Sequence, residues 1–260
     1  MANNDEFEWC GYTWSSKMDG GRIIHPSFPW YWYSLNTINV CEDGVLEFFI
    51  DKNPREVKYW DEKIYNPIFE TPLIRSKEDF SYGTFTAEII MPKGKNLSAS
   101  FWLTGSGNWP PEIDIEEGWT EEKDSWFRWL VAQPPYIKPS WRTTTNVHYL
   151  DRNMNKCSIG SRNIPYLKQT KDPTENWIEY GCIWEPDRIR FYANGKEIRR
   201  VDSSICKNLT SNLKNPEKGY KMNAVFNVWV ETEDESKVKM RSPMKIRNFK
   251  YIPYTIYYKP

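Results

Sequence analysis

The sequence predicts an all-β protein, a sandwich of two antiparallel sheets with jelly-roll or related topology. Three observations support this class. Short runs rich in β-branched and aromatic residues recur along the chain. These runs are bounded by Gly, Pro or Asn, and no stretch of ten or more residues has apolar residues at the 3.6-residue spacing of a helix. The chain has 260 residues, of which 39% are hydrophobic and 16% aromatic, and one β sandwich can reach that length. We therefore expect one domain over residues 1–260.

The predicted strands are short and share this composition and these boundaries. In order they cover residues 44–50, 84–90, 99–103, 178–184, 189–192, 197–201, 223–230 and 244–251. Between the fifth and sixth, Asn194-Gly195 is a strong hairpin signal, because both residues tolerate positive φ. Segments 51–72 and 119–145 show no clear alternation. They are predicted as long loops, which in compact domains usually build a binding site or lid.

Composition excludes several classes of function. The chain carries 35 Lys+Arg and 35 Asp+Glu, whereas nucleic-acid binders rely on an excess of positive charge. No apolar run approaches the roughly 18 residues of a membrane-spanning helix. Two His and five Cys without a C-x-x-C pair do not fit a usual zinc site. We expect a monomer without nucleic-acid partner, membrane span or cofactor, and a structural calcium ion is not indicated.

The most informative stretch is W-P-P-E-I-D-I-E-E-G-W at residues 109–119. On a regular strand, Glu112, Asp114 and Glu116 would share one face while both isoleucines face the core. Neighbouring like charges on one face destabilise a sheet, so a use must outweigh that cost. The residues alone leave three uses open: a catalytic carboxylate pair, an acidic cation site or a solvated charged face.

Geometry makes the catalytic use specific. Cα atoms four positions apart on a strand lie about 13–14 Å apart, and converging Glu side chains can approach the roughly 5–5.5 Å of a retaining glycosidase pair. One carboxylate would attack the anomeric carbon and the other would protonate the leaving oxygen. An Asp between them can hydrogen-bond the nucleophile and raise the pKa of the acid.

Residues 112–117 resemble the signature of glycoside hydrolase family 16, the β-jelly-roll endo-glycanases. The similarity continues in order over about residues 40–252, in the segments 72–77, 80–89, 99–104, 146–149, 180–189, 191–196 and 244–251. The resemblance implies a single catalytic domain with its substrate cleft on a concave sheet face. It implies a retaining endo-β-glycanase, by default acting on β-1,3- or β-1,3-1,4-glucan, and export from the cytoplasm. Residues 1–12 lack the basic and apolar regions of a secretory signal.

Other functions of the same fold remain open at this point. The substrate could be an algal galactan (agar, porphyran or carrageenan) or a host glycan. The protein could transfer sugars as a transglycosylase, or bind carbohydrate without catalysis. In every case the expected partner is a polysaccharide or oligosaccharide.

The family uses two versions of its signature, and this chain satisfies both. In the regular version the acid/base stands four residues after the nucleophile, at Glu116; in the version with a β-bulge it stands five residues after, at Glu117. The surrounding W-P-P-E and E-G residues favour the bulge. The resemblance therefore implies Glu112 as nucleophile, Asp114 as its helper and Glu117 as acid/base. Glu116 would then be a flanking or surface acid.

Sugar rings stack on aromatic side chains, although a Trp in a sandwich more often packs in the core. The resemblance places Trp102 beside the nucleophile and His148 near the cleft, where a structural histidine is the alternative. Trp109 and Trp119 flank the signature in turn or loop context. Asn227 and Trp229 alternate onto one face of their predicted strand. The expected substrate-binding residues are Trp102, Trp109, Trp119, His148, Asn227 and Trp229.

Overall fold

A computed structural model describes residues 5–59, 62–106, 109–119, 142–151, 153–160, 172–202 and 221–255. This part of the chain is almost entirely β-structure, with short 3-10 turns at Asp19–Gly21, Leu35–Thr37 and Glu235–Lys237. The predicted all-β class is confirmed. In the described ranges no helix has the length and apolar character needed to cross a membrane.

The described residues form 23 strands, numbered here in chain order. They are β1 (Glu6–Trp9), β2 (Tyr12–Ser15), β3 (Ile24–His25), β4 (Phe28–Tyr33), β5 (Ile38–Val40), β6 (Leu46–Phe48), β7 (Asp51–Lys52), β8 (Val57–Lys58), β9 (Ile64–Tyr65), β10 (Phe69–Thr71), β11 (Leu73–Ser76), β12 (Gly83–Ile90), β13 (Lys93–Lys95), β14 (Leu97–Gly105), β15 (Glu112–Trp119), β16 (Arg142–Leu150), β17 (Lys156–Ser158), β18 (Ile178–Glu185), β19 (Arg188–Ala193), β20 (Lys196–Asp202), β21 (Met222–Val230), β22 (Lys239–Ser242) and β23 (Met244–Pro253).

Two large antiparallel sheets form the sandwich. Among the described strands, an eight-stranded sheet has the order β1-β2-β11-β21-β14-β15-β16-β17, and a seven-stranded sheet has the order β20-β19-β18-β12-β23-β6-β5. A smaller sheet has the order β3-β4-β10-β7, and β13-β22 and β8-β9 form two-stranded pairs. Strands far apart in sequence are neighbours in both large sheets, as a jelly-roll sandwich requires.

The main core lies between the two large sheets and is rich in aromatic side chains. Phe101 on β14 stacks on Phe226 on β21 with ring centroids 4.4 Å apart, and Phe249 of the opposite sheet meets Phe226 edge-on at 5.8 Å. Such pairs stabilise beyond the burial of their apolar area. Since side chains alternate along a strand, Trp102 lies on the opposite face of β14 from Phe101. That second face of the eight-stranded sheet carries the candidate site.

The β3-β4-β10-β7 sheet flanks the candidate site. Strand β10 runs parallel to β4, with Phe69 opposite Tyr31, unlike the antiparallel pairs of the large sheets. Trp30 Nε1 donates to Val230 O over 2.7 Å and so joins this sheet to the end of β21. Segment 51–72, predicted as a long loop, contains β7 to β10. Its strands have only two or three residues, too few for alternation to be visible.

The hairpin predicted at residues 193–196 is present between β19 and β20. Asn194 and Gly195 have φ of 47° and 73°, the left-handed values that a two-residue hairpin turn requires. The asparagine also supports the neighbouring strand, because its side-chain oxygen accepts from Glu179 N over 3.0 Å.

Candidate active site

A β-bulge brings three carboxylates to one face of β15. Strand β14 pairs Glu112 with Thr104 and Glu117 with Ser100, and the register shifts between these pairs. The pairing with β16 is also irregular between Asp114 and Glu117. One extra residue in a strand reverses the side-chain alternation beyond it. Glu112, Asp114 and Glu117 therefore all face away from the core, as the bulged signature predicts.

The same bulge turns Glu116 into the core, where it lies opposite Phe101. Glu116 is 1% exposed, and neither carboxylate oxygen has a hydrogen-bond partner among the described residues. Burial raises the pKa of Glu116 well above its usual value, and the charge of Glu117 adds to the rise. The expectation of a surface acid is wrong, because the extra residue of the bulge rotates Glu116 inward. The side chain still flanks the cluster in sequence.

Glu112 is held by two hydrogen-bonding side chains. Trp109 Nε1 donates to Glu112 Oε2 over 3.0 Å, and His148 Nε2 lies 3.2 Å from Glu112 Oε1. Burial raises the pKa of Glu112, and the neighbouring charge of Asp114 raises it further. His148 and the Trp109 hydrogen bond act in the opposite direction. Both groups stabilise the negative charge of Glu112.

Asp114 lies between the two glutamates and is buried. His148 Nε2 is 3.4 Å from Asp114 Oδ2, so one imidazole contacts two carboxylates, and Asn146 Nδ2 lies 3.0 Å from the same nitrogen. Burial raises the pKa of Asp114, and the positive charge of Arg199 on β20 opposes that rise. The imidazole nitrogen therefore has two carboxylates and one amide as close neighbours.

Glu117 has surroundings that favour its protonated form. Burial raises its pKa, and the negative charges of Asp114 and, more weakly, Glu231 raise it further, while His148 opposes them. The pKa values of Glu112 and Glu117 are both raised to about 8, with burial as the largest cause in each case. Each carboxyl has a further negative neighbour, Glu117 for Glu112 and Glu231 for Glu117, but Glu112 also accepts the Trp109 hydrogen bond. The Trp109 hydrogen bond is the contact that favours ionisation of Glu112 over ionisation of Glu117.

The cluster could also hold a cation. Ligand atoms of Glu112, Asp114 and His148 lie within 4.8 Å of one another. Carboxylate oxygens with an imidazole nitrogen form a donor set that divalent transition metals accept. The 3.2 Å contact of His148 with Glu112 is also compatible with a hydrogen bond made without a metal ion, whereas Asp114 Oδ2 has no hydrogen-bond partner among the described residues.

Most of the expected substrate-binding residues meet on the same sheet face. Trp102 Nε1 donates to Asn227 Oδ1 over 2.8 Å, and Ser100 Oγ donates to the same oxygen over 2.9 Å. Trp109 is 46% exposed, as a residue that lines a cleft should be. Trp229 lies two residues beyond Asn227 on β21, on the same face, and is half-buried in a smaller aromatic cluster. The Trp119 backbone ends β15, and its side chain is outside the described part of the chain.

A pocket that the sequence did not reveal adjoins Glu112. Its volume is about 860 Å³, and Trp102 and Trp109 line it on one side. The other side is formed by residues between Met18 and Ser27, which carry no recognisable motif. Sequence reasoning also missed Asn146. Its position two residues before His148, in the segment 146–149 that resembles the family, is a signal that could have found it, since alternate residues of a strand share a face.

Comparisons with known proteins agree with this geometry. A family model described as glycosyl hydrolases family 16 matches residues 30–242. The Crh-like protein CRH12 of Candida albicans is 24% identical over 163 residues, 61% of this chain and 27% of that protein. The endo-1,3-1,4-beta-glycanase EglC of Rhizobium meliloti is 26% identical over 124 residues, 47% of this chain and 22% of that protein. The matched segments thus span about a quarter of the length of these curated relatives.

Solved structures share the fold. Porphyranase B from Zobellia galactanivorans superposes with a TM-score of 0.63 over 92% of this chain and 86% of that chain, at 17% sequence identity. At this low sequence identity, the superposition shows a similar fold and nothing more specific. The likeness of fold covers 92% of this chain.

Proposed function

The chain belongs to glycosyl hydrolase family 16, a family of endo-glycanases, and on that premise we propose that it is a retaining endo-β-glycanase. The observation that carries the proposal is the bulge in β15, which places Glu117 on the face of Glu112 and Asp114. Two buried carboxyls with different neighbours on one cleft face suit the nucleophile and the general acid of double displacement.

In the proposed reaction Glu112 is the nucleophile. Trp109 Nε1 and His148 Nε2 hold its carboxylate and stabilise its charge, so that an oxygen can attack the anomeric carbon. Glu117, kept protonated by burial and by neighbouring negative charge, donates its proton to the departing glycosidic oxygen. A covalent glycosyl-enzyme results. Glu117 then takes a proton from water, whose oxygen attacks the anomeric carbon as the bond between that carbon and Glu112 breaks and releases the carboxylate. Two inversions leave the configuration at that carbon retained.

Asp114 is the proposed helper. It contacts His148, which in turn contacts Glu112, and its charge raises the pKa of Glu117. Asp114 therefore orients the imidazole that holds the nucleophile and keeps the acid protonated. The side chains and one water molecule carry every step of this scheme, and it needs no metal ion or cofactor.

The proposed substrate is β-1,3- or β-1,3-1,4-glucan. The name of the Rhizobium meliloti relative, an endo-1,3-1,4-beta-glycanase, supports this choice. The fold likeness to a porphyranase makes an algal galactan the second candidate, with host glycans behind it. Trp102, Trp109 and Trp229 offer ring faces for stacking sugars, and Asn227 and His148 offer polar atoms beside them.

Hydrolysis of a panel of laminarin, lichenan, agarose, porphyran, carrageenan and mucin glycans tests the proposal. Reducing ends should appear with one substrate class, and NMR should show the β-anomer as first product. Glu112→Gln and Glu117→Gln should each lower kcat by about 10²- to 10⁴-fold or more. Glu116→Gln is the matched control and should retain most of the activity.

The outcomes separate the competing functions. Products longer than the substrate would indicate sugar transfer instead of hydrolysis. Binding of a polymer without any product would indicate a non-catalytic carbohydrate-binding protein. Activity lost in Glu116→Gln and kept in Glu117→Gln would mean that the regular version of the signature operates.

A further inference from the structure

The pocket beside Glu112 extends the cleft toward the N-terminal segment, ahead of the residues that match the family model. Its inner end is formed by Trp102, Trp109 and Glu112, and its outer wall includes Arg22 and His25. In the proposed reaction the nucleophile lies under the sugar whose anomeric carbon it attacks, and the acid lies toward the leaving group. The space beside Glu112 therefore receives the glycone side of the chain. This orientation rests on the proposed function.

The outer wall is a preformed loop fastened to the sheet. Met18 N donates to Arg22 O over 2.9 Å, Gly21 N donates to Met18 O over 3.0 Å, and Arg22 Nε donates to Asp19 O over 2.9 Å. The Asp19 carboxylate forms an ion pair with Arg75 of β11. A wall held in place before binding loses little conformational freedom when a ligand arrives.

Phe28 stands at the rim, directly after Ser27 of the pocket lining. It is 40% exposed, although a ring of its size is usually buried. Neighbouring rings hold it: His25 at 5.0 Å between centroids, and Trp30 edge-on at 5.5 Å. A fixed, exposed aromatic face beside a polysaccharide cleft offers a platform for the apolar face of a pyranose ring.

His25 supplies a polar group next to that platform. Ser27 N donates to His25 Nδ1 over 3.2 Å, so the neutral imidazole carries its hydrogen on Nε2. Burial lowers the pKa of His25, and the charge of Arg22 lowers it further, which favours the neutral ring. The Nε2–H group can donate to a sugar hydroxyl.

We propose that Phe28 and His25 form an outer glycone subsite, which binds a pyranose residue of the polysaccharide beyond the sugar at Glu112. The ring stacks on Phe28, and a hydroxyl accepts a hydrogen bond from His25 Nε2. This subsite contributes to the affinity for long chains and has no part in the bond-breaking step.

Phe28→Ala tests the subsite, because the side chain is at the surface and its loss should leave the fold intact. Tyr254→Ala is the matched control, since Tyr254 is 39% exposed and follows β23 of the opposite sheet. Native gels cast separately with laminarin, lichenan and porphyran measure binding through the retardation of the migrating protein, without requiring turnover. KM and kcat are measured on the polymer that is hydrolysed and on the shortest of its oligosaccharides still cleaved.

Phe28→Ala should migrate with less retardation than the wild type and raise KM for the polymer about three- to ten-fold. Its kcat, its KM for the shortest oligosaccharide and its melting temperature should stay unchanged. Equal retardation and equal KM in Phe28→Ala and Tyr254→Ala would overturn the subsite, as would a wild type that none of the polymers retards. Retardation that depends on Phe28 without any hydrolysis would support the subsite and contradict the proposed hydrolysis.

Discussion

Trp109 and Glu112, three residues apart, are joined by a hydrogen bond in which the indole Nε1 donates to the carboxylate Oε2 over 3.0 Å. The donor therefore reaches the residue proposed as nucleophile from the turn that precedes its own strand. Lys156 Nζ lies over the indole ring, 4.6 Å from its centroid. One tryptophan thus combines two roles, a hydrogen-bond donor to Glu112 and a wall of the pocket.

Trp109→Phe separates these two roles, because it keeps a ring and removes the donor. We expect kcat/KM to fall roughly ten-fold, the usual effect of losing one hydrogen bond to a charged group. The pKa of Glu112 should rise when the donor is lost, so the acid limb of the pH–rate profile should move to higher pH. An acid limb at the wild-type position would show that this hydrogen bond does not support the reacting carboxylate.

Glu116→Met should stabilise the protein. The carboxyl of Glu116 is buried without a hydrogen-bond partner among the described residues, and removing such a group is worth about 1–3 kcal/mol. Its pKa is raised in the folded state, so the folded protein holds a proton that the unfolded chain releases above its ordinary carboxyl pKa. The wild type then loses stability as pH rises above that ordinary value.

The stabilisation by Glu116→Met should accordingly be larger at pH 8 than at pH 5, and urea unfolding at both values measures it. Glu42→Gln, a change at an exposed glutamate, serves as control and should leave stability unchanged at both pH values. A Glu116→Met protein less stable than the wild type at pH 8 would mean that the carboxyl has a stabilising partner.

Glu231→Gln should move the alkaline limb of the pH–rate profile to lower pH. The negative charge of Glu231 contributes to the raised pKa of Glu117, and the proposed acid is active only while protonated. Removing that charge makes the proton easier to lose. Glu233→Gln on the same loop is exposed and should leave the limb in place, so a shift of equal size in both variants would argue against a specific effect.

Arg199→Met should weaken the link between the two large sheets near the bulge. Arg199 Nη1 donates to Thr145 O over 2.6 Å and to Thr145 Oγ1 over 2.9 Å, and Nη2 donates to Ile159 O. Losing these bonds should cost roughly 2–4 kcal/mol of unfolding free energy. The acid limb of the pH–rate profile should also move to higher pH. The positive charge of Arg199 lowers the pKa of Asp114, so that pKa should increase when the charge is removed.

Arg200→Met is the neighbouring control, since Arg200 is exposed and pairs with Glu197 at the surface. It should leave stability essentially unchanged. If Arg199→Met lowers the melting temperature and leaves the pH profile unchanged, its role is structural alone.

The all-β class and the carboxylate cluster were accessible from the sequence, because both depend on local patterns. Alternation at residues 112–115 determines which side chains share a face, and the Asn194-Gly195 pair determines a turn. The position of Glu116 was not accessible in the same way. A register shift of one residue decides between the surface and the core, and the partner strands determine that shift.

The pocket wall could not be predicted from the sequence for a related reason. Arg22 and His25 have no spacing that predicts a site, and they meet the cleft only through pairing with strands distant in sequence. The contact of Asp19 with Arg75, like that of Arg199 with Thr145, joins elements whose proximity depends on the completed topology. The single domain expected over residues 1–260 stays a prediction.

The hydrogen bond between Trp30 and Val230, 200 residues apart in the chain, has a consequence for biosynthesis. Strand β14 pairs with β21 along its whole length, so the floor of the cleft contains residues made early and residues made late. Contacts this distant in sequence form slowly. During translation the strands that pair with β4, β3 and β10, are made early, but Trp30 Nε1 lacks its acceptor until the end of β21 has been synthesised. A chaperone that shields exposed aromatic segments during this interval should increase the yield of folded protein.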